Sequence, residues 1–145
     1  MATYAQSKRD MSRLEDYLEA IYNLNEEKGF ISASDISERL GVKSPTVSSM
    51  VAKLAREGYL ERERYRGMKL TDRGIKVARS VIRRHETIFE LLSMFGLSKD
   101  VAYEDTEGIE HHLHPVTVQK FERLVEFLKA DPETSAKLKQ SMDRD

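Results

Sequence analysis

Residues 34–54 read SDISERLGVKSPTVSSMVAKL, two short helical patterns on either side of a tight turn. In both halves the apolar residues recur at the three- and four-residue spacing of an amphipathic helix. Gly41 predicts the end of the first helix. Ser44 and Pro45 predict an N-cap followed by proline at the first helical position, which are favoured places for these residues. This stretch therefore predicts a helix-turn-helix.

A β-hairpin is predicted directly after this pair of helices. Residues 59–65 and 68–71 form two short segments around Gly67, which is the pattern of two strands joined by a turn. Further helices are predicted over residues 13–27, 72–95, 106–113 and 115–130, and a weak, polar tail follows Pro132. The predicted fold class is mainly α: a winged helix-turn-helix with a small β-hairpin wing, followed by an all-helical domain.

Charge is unevenly distributed along a chain whose net charge is only −1. Residues 34–84 contain 13 Lys and Arg against 6 Asp and Glu, a balance of +7, whereas residues 85–145 contain 7 against 13, a balance of −6. A basic segment beside an acidic one is expected where one part of a protein meets a polyanion and another binds cations. Helices whose solvated faces simply differ in charge would give the same counts.

The chain has no cysteine, which excludes disulfides, thiolate zinc sites and thiol redox chemistry. No apolar run approaches the roughly 18 residues that span a bilayer, and the polar amino terminus does not predict a secretion signal. We therefore expect a cytoplasmic protein with no membrane partner.

The second helix of the pair is predicted to present small polar and basic side chains opposite its apolar stripe. Short hydroxyl side chains allow close approach to base edges and phosphates, and cations on the wing can reach the DNA backbone. The predicted contacts with double-stranded DNA are Ser44, Thr46, Ser48, Ser49 and Lys53 on the helix, and Arg62, Arg64, Arg66 and Lys69 on the wing. One alternative is a small helical hairpin whose turn happens to contain Ser-Pro. Another is a winged helix that binds another protein, which would not need the local charge of +7.

Candidate metal ligands occur in separate segments. Glu107, Glu110 and His111 stand at i, i+3 and i+4, so on a helix they share one face. Two carboxylates and an imidazole crowded there repel unless they are paired or bind a metal ion. Asp16 and Glu19 stand at i and i+3 in the first helix, where a solvated helix face is the ordinary explanation.

Two more histidines are less informative by position. His85 is isolated in the long helix after the wing, and a packed or surface histidine is its ordinary explanation. His112 is displaced by about a quarter turn from its neighbour His111, so helical geometry predicts that it is a bystander. The spacing alone does not bring these segments together.

The chain resembles the diphtheria toxin repressor family and, within it, the manganese transport regulators. The resemblance rests on EDYLEAIY at 15–22, SDISERL at 34–40, SPTVSSMVAKL at 44–54, YRG at 65–67, RHE at 84–86 and EGIEHH at 107–112. It implies a DNA-binding domain over residues 1–73 and a helical metal-binding and dimerisation domain over residues 74–145. It also implies a homodimer. The implied ligands of a pair of divalent ions are Asp16, Glu19, His85, Glu107, Glu110 and His111.

Some positions depart from the iron-sensing, toxin-repressor branch of this family. Members of that branch have a sulfur ligand where this chain has Asp16 and Glu107. They also have an acidic residue and a histidine, which form an ancillary site, where this chain has Phe89 and Tyr103. We therefore expect the ancillary site to be absent, and likewise the third domain of longer members, since only the tail follows Pro132.

Ligation by oxygen and imidazole favours harder ions such as Mn²⁺ and is compatible with Fe²⁺. The four implied carboxylates carry a charge of −4, which two divalent ions would neutralise. The predicted function is a repressor, not an enzyme, that binds a palindromic operator when loaded with Mn²⁺ or Fe²⁺ and controls metal-uptake genes. The alternative is a metal-independent winged-helix regulator that senses another small ligand.

Overall fold

A computed structural model describes residues 4–144 and confirms the predicted fold class. The helices are α1 (Tyr4–Lys28), α2 (Ala33–Leu40), α3 (Ser44–Arg56), α4 (Asp72–Met94), α5 (Lys99–Ile109), α6 (Pro115–Ala130) and α7 (Pro132–Met142). The strands are β1 (Leu60–Glu63) and β2 (Gly67–Leu70), and a 3-10 turn spans Glu110–His112. None of the described helices is long and apolar enough to cross a membrane.

The chain divides into two compact units, of which the first ends at Val81 and the second begins at Ile82. The division falls inside α4, the long helix that the sequence predicts over 72–95. The domain boundary expected after residue 73 stays a prediction.

The core of the first unit is the packed interior of the helix-turn-helix. Val47, Val51 and Leu54 recur along α3 and are completely buried, as are Leu18 of α1 and Ile36 of α2. This burial follows the apolar spacing in the sequence, because one stripe of an amphipathic helix faces the core. Burial of each such side chain contributes about 1.5–3 kcal/mol to folding.

The wing is an antiparallel hairpin in which Leu60 pairs with Leu70 and Glu63 with Gly67. Its second strand is also bridged to Ile31, since the amide of each of Ile31 and Met68 donates to the carbonyl of the other, at 3.0 and 2.9 Å. Gly67 has φ +94°, and a Cβ there would lie 2.5 Å from the Ile31 carbonyl oxygen. Only glycine fits this position, where two backbones approach closely.

The two helices of the helix-turn-helix begin at different kinds of cap. Ser32 caps α2 in a capping box, in which the Asp35 amide donates to Ser32 Oγ and the Ser32 amide donates to the Asp35 carboxylate. For α3 the predicted cap at Ser44 is wrong. Lys43 is the N-cap, because its carbonyl accepts from the Thr46 amide at 3.0 Å. The Lys43 side chain makes no capping hydrogen bond.

The largest correction concerns the helix predicted over 106–113. The observed helix α5 begins at Lys99, where the Ser98 hydroxyl accepts from the Val101 amide at 3.3 Å, and it ends at Ile109. The next three residues form the 3-10 turn. Glu110 and His111 therefore do not continue an α-helix, and the assumption of one helical face fails at the end of α5.

The residues after Pro132 are helical and not merely a tail. Asp131 caps α7 by accepting from the amide and hydroxyl of Thr134, and these hydrogen bonds hold the pKa of Asp131 below its usual range. α7 has no buried residue. The apolar stripe by which a helix is recognised in sequence is therefore weak here.

Candidate metal centre and nucleic-acid interface

Three elements of the second unit bring four polar side chains together. His85 lies in α4, Glu107 in α5, and Glu110 and His111 in the 3-10 turn. His85 Nδ1 lies 2.8 Å from Glu110 Oε2 and 3.2 Å from Glu107 Oε1, and His111 Nε2 lies 3.3 Å from Glu110 Oε1. We call these four residues the His–Glu cluster.

Burial within the His–Glu cluster is uneven. The Glu110 side chain is only 1% exposed, and the Glu107 side chain is 46% exposed. Glu110 Oε1 is buried and accepts no hydrogen bond from the residues that the structure describes. A buried carboxylate oxygen that accepts no hydrogen bond, even with His111 Nε2 3.3 Å away, is destabilising unless a cation or a proton compensates it.

The donor atoms of the cluster fit a divalent cation. One donor atom each from His85, Glu107 and Glu110 lie within 4.8 Å of one another. Atoms this close can be bridged by an ion with ligand distances of about 2.0–2.4 Å. Imidazole nitrogen with carboxylate oxygen suits first-row divalent ions, and the chain has no cysteine to favour softer ones.

The 3-10 turn explains why neighbouring histidines have different surroundings. A 3-10 turn advances by about three residues per turn. His111 faces the cluster, with a side chain 10% exposed, whereas the adjacent His112 is exposed to solvent. His112 is in none of the groups of described residues that could share an ion. Its role as a bystander stays a prediction.

Two side chains that the sequence did not single out as site residues contact the cluster. The ring of Tyr103 packs edge-on against His85, with centroids 5.7 Å apart and planes at 65°. An Arg84 guanidinium nitrogen lies 3.5 Å from His111 Nδ1. Neither Tyr103 nor Phe89, which occupy the positions of the ancillary ligands, carries a carboxylate or imidazole. Tyr103 instead packs edge-on against a candidate ligand.

Asp16 and Glu19 belong to the first unit. They lie on α1, and each is partly exposed. Tyr17 and Leu18 between them are buried, so α1 turns its apolar stripe to the core and carries both carboxylates beside that stripe. That these carboxylates join the His–Glu cluster stays a prediction.

The outer face of α3 carries the predicted DNA contacts. Ser44, Thr46, Ser48 and Ser49 are exposed, and Lys53 is partly exposed. Short hydroxyl side chains on a helix whose opposite face is fully buried form a surface able to enter a major groove. The structure thus leaves each of these side chains accessible to a ligand.

An open groove beside α3 adds two cations that the sequence patterns did not reveal. It is lined by residues of α1 and α3, among them Arg13, Ser49, Lys53 and Arg56. Arg56 stands three residues after Lys53, so its position on the same face could have been inferred from helical spacing. No spacing pattern indicates Arg13, because its position in the groove depends on how α1 packs against α3.

The wing carries four cations, and two of them contact acids of the same hairpin. Arg66 lies 3.7 Å from Glu63, and Lys69 lies 3.4 Å from Glu61. Arg64 lies over the ring of Tyr65, 5.3 Å from its centroid. Exposed ion pairs are weak, so phosphates can compete for Arg66 and Lys69 at small cost.

Comparison with known proteins matches nearly the whole chain to one family. Residues 11–68 match "Iron dependent repressor, N-terminal DNA binding domain", and residues 71–139 match "Iron dependent repressor, metal binding and dimerisation domain". The two matches meet near the start of α4.

Individual relatives are also similar over most of the chain. The HTH-type transcriptional regulator MntR of Bacillus pumilus is 42% identical over 126 residues, covering 87% of this chain and 88% of that protein. MntR of Bacillus subtilis is 40% identical over 126 residues, covering 87% and 89%. The solved structure of the manganese regulator SloR aligns with a TM-score of 0.68 and 33% identity, covering 79% of this chain. This chain matches only 54% of the SloR chain, about half of its length.

Proposed function

Because the chain belongs to the iron-dependent repressor family, in its manganese-transport-regulator branch, we propose that it represses transcription when Mn²⁺ is bound. The observation that most strongly supports a bound cation is the buried Glu110 carboxylate. Its Oε2 lies 2.8 Å from His85 Nδ1, and its Oε1 accepts no hydrogen bond from any described residue. Such a group gains most from a nearby cation, because the low-dielectric interior strengthens the attraction.

The proposed ligands are Asp16, Glu19, His85, Glu107, Glu110 and His111. The distances within the His–Glu cluster support the four members from the second unit. Asp16 and Glu19 are included because the family resemblance pairs them with the other four. Together the carboxylates carry −4, which supports two divalent ions per subunit.

Manganese is the ion that the donor set and the relatives favour. All six proposed ligands offer oxygen or imidazole nitrogen, and none offers sulfur. Fe²⁺ has similar preferences and is a second proposed effector. Bound at this cluster, a divalent ion supplies the positive charge that cancels the repulsion among the carboxylates.

The proposed DNA partner is a palindromic operator bound by a homodimer. Two copies of α3 related by a two-fold axis would meet two half-sites in inverted orientation. The exposed hydroxyl groups of α3 would contact base edges, and the wing cations would contact phosphates. We propose that the regulated genes encode metal uptake, since repression by Mn²⁺ then closes a feedback loop.

Metal binding and DNA binding are linked in this proposal because the proposed ligands come from both units. Asp16 and Glu19 lie on the helix that packs against α2 in the DNA-binding unit, and the other four ligands lie in the second unit. In the proposed mechanism, repulsion among the carboxylates opposes the approach of the six ligands in the metal-free protein. A bound divalent ion neutralises that charge, and its binding fixes the spacing of the two copies of α3. The operator and the metal then stabilise the same state, which is the requirement for coupling.

The experiment compares two adjacent histidines. The probe is a fluorescein-labelled duplex of about 30 base pairs, selected from a random pool by the wild-type protein with Mn²⁺, since two half-sites span two to three helical turns. Fluorescence anisotropy gives its affinity with and without Mn²⁺. We expect Mn²⁺ to raise the affinity by about 5–150-fold, and we expect His111→Ala to lose most of that increase.

His112→Ala is the matched control. Its side chain is exposed one residue away, so it should respond to Mn²⁺ like the wild type. Equal responses of the two variants would contradict the assignment of His111. Wild-type binding that is tight and independent of Mn²⁺ would instead support a metal-independent regulator.

A further inference from the structure

The tip of the wing exposes an aromatic side chain that is not among the DNA contacts proposed above. Tyr65 is the middle residue of the three-residue loop between β1 and β2, and it is 94% exposed. A tyrosine ring is a large apolar surface, and burial of such a ring would stabilise the fold. A fully exposed ring does not contribute this stabilisation. Its place at the tip is therefore not explained by packing within the first unit.

The backbone at Tyr65 is also unfavourable for this residue. Its φ is +71°, and it is the one described residue other than glycine with a positive φ. The Arg66 amide donates to the Glu63 carbonyl at 3.3 Å, which closes a β-turn with Tyr65 at its third position. A positive φ only at that position is typical of a type II turn, in which glycine or asparagine is favoured. A bulky residue held there against its preference points to a function outside the fold.

The surroundings of Tyr65 indicate the kind of partner. Arg62, Arg64 and Arg66 are all exposed, and the Arg64 guanidinium lies 5.3 Å from the ring centroid. An aromatic ring flanked by cations is complementary to nucleic acid, where deoxyribose and base surfaces lie between rows of phosphates. The wing also falls within the match to a DNA-binding domain, which spans residues 11–68.

We propose that Tyr65 is a DNA-contact residue whose ring packs against the deoxyribose walls of the minor groove, between the phosphates that the wing arginines meet. The proposal rests on the proposed DNA-binding function and adds an uncharged contact to it. A minor groove about 6 Å wide accepts the edge of one aromatic ring. Because the contact is apolar, it releases no counterions, and its contribution is independent of salt.

Salt dependence separates this role from a charged contact. With the selected duplex and Mn²⁺, we expect Tyr65→Gly to weaken binding by about tenfold or more at every salt concentration, without changing the slope of log affinity against log salt. The comparison variant Arg64→Ala should reduce that slope by about 0.9 for each phosphate that the variant no longer neutralises. Tyr65→Phe keeps the ring and should bind nearly as tightly as the wild type.

Thermal unfolding tests whether Tyr65 has a role in the fold itself. Glycine is favoured at this backbone position, so Tyr65→Gly should keep or raise the melting temperature of the free protein while weakening DNA binding. A lower melting temperature, wild-type affinity for DNA, or a loss of affinity with Tyr65→Phe equal to that with glycine would each overturn the proposal.

The wild-type titration separates this inference from the function on which it rests. If the wild type binds no duplex with Mn²⁺, the proposed function and the role of Tyr65 both fail. If the wild type binds and Tyr65→Gly binds equally well, only the role of Tyr65 fails.

Discussion

Replacing Glu110 with glutamine should remove most of the thermal stabilisation that Mn²⁺ confers, while the metal-free protein still folds. Glutamine has the same shape, and its amide oxygen can still accept from His85 Nδ1, which lies 2.8 Å from the carboxylate. The substitution removes one negative charge from a group that is 1% exposed. The metal-free variant should therefore be at least as stable as the wild type, because burial of a charge is costly.

The expected magnitude follows from linkage between binding and folding. At a free Mn²⁺ concentration about 100 times the wild-type Kd, binding stabilises the folded state by about 2.7 kcal/mol. For a chain near this length that is roughly 5–11 °C in Tm. Mutation of a residue that only holds a metal ligand in place typically lowers metal affinity by about 10–100-fold. Loss of a direct ligand should therefore lower it by at least about 100-fold. The stabilisation then falls to about 0.4 kcal/mol, on the order of 1 °C.

The assay is thermal unfolding followed by circular dichroism, with and without Mn²⁺. The control is Glu104→Gln, which removes the same charge from an exposed position of α5. It should retain the full shift in Tm. A shift in Glu110→Gln as large as that of the wild type would refute the assignment of Glu110 as a ligand.

The first unit offers predictions about stability that do not involve metal. Gly67→Ala should destabilise it by about 2–4 kcal/mol, as judged by urea unfolding, because φ is +94° and the Cβ would lie 2.5 Å from the Ile31 carbonyl oxygen; an unchanged midpoint would contradict this. Ser32→Ala should cost about 1 kcal/mol by loss of the α2 cap, and a loss below about 0.3 kcal/mol, roughly the additivity error, would count against the capping box. Hydrogen bonds from Lys28 and Ser32 hold the pKa of Asp35 well below its usual range. The ionised Asp35 therefore stabilises the fold above its pKa in the unfolded chain, near pH ~4, and this stabilisation is lost as the pH falls from there towards its pKa in the folded protein. The stability difference between wild type and Asp35→Asn should therefore shrink below about pH 4, and a difference that grew on acidification would contradict the sign.

The helix-turn-helix could be predicted from sequence because its signals are local. The apolar spacing that predicts α3 is the spacing of Val47, Val51 and Leu54, which are all fully buried. The hairpin was equally predictable, since glycine between two strand-like segments marks a turn. The cap at Ser44 was wrong by one residue because the choice depends on which carbonyl accepts the first helical bond, a backbone detail that residue types do not decide.

The candidate metal site could be predicted only in part. Spacing grouped Glu107, Glu110 and His111 by assuming a continuous α-helix, and the structure replaces the end of that helix with a 3-10 turn in which no residue is glycine or proline. His85 looked isolated by spacing, and only the family resemblance joined it to the others. Its 2.8 Å approach to Glu110 depends on the packing of α4 against α5 and the turn, which sequence periodicity does not encode.

Three features were not predicted from the sequence because no local residue pattern indicates them. Arg13 reaches the groove beside α3 through tertiary packing, and α7 lacks the apolar stripe that indicates a helix. Tyr65 combines near-complete exposure with a positive φ. Neither property can be inferred from a tyrosine between two arginines.

The central claim is that metal and operator stabilise the same state of the protein. Its most direct test is the Mn²⁺ affinity, measured by electron paramagnetic resonance of free Mn²⁺ with and without saturating operator duplex. Reciprocal linkage requires the operator to raise Mn²⁺ affinity by the same factor by which Mn²⁺ raises operator affinity. We expect the two factors to be equal and to lie within about 5–150-fold. An Mn²⁺ affinity that is unchanged by operator would contradict it.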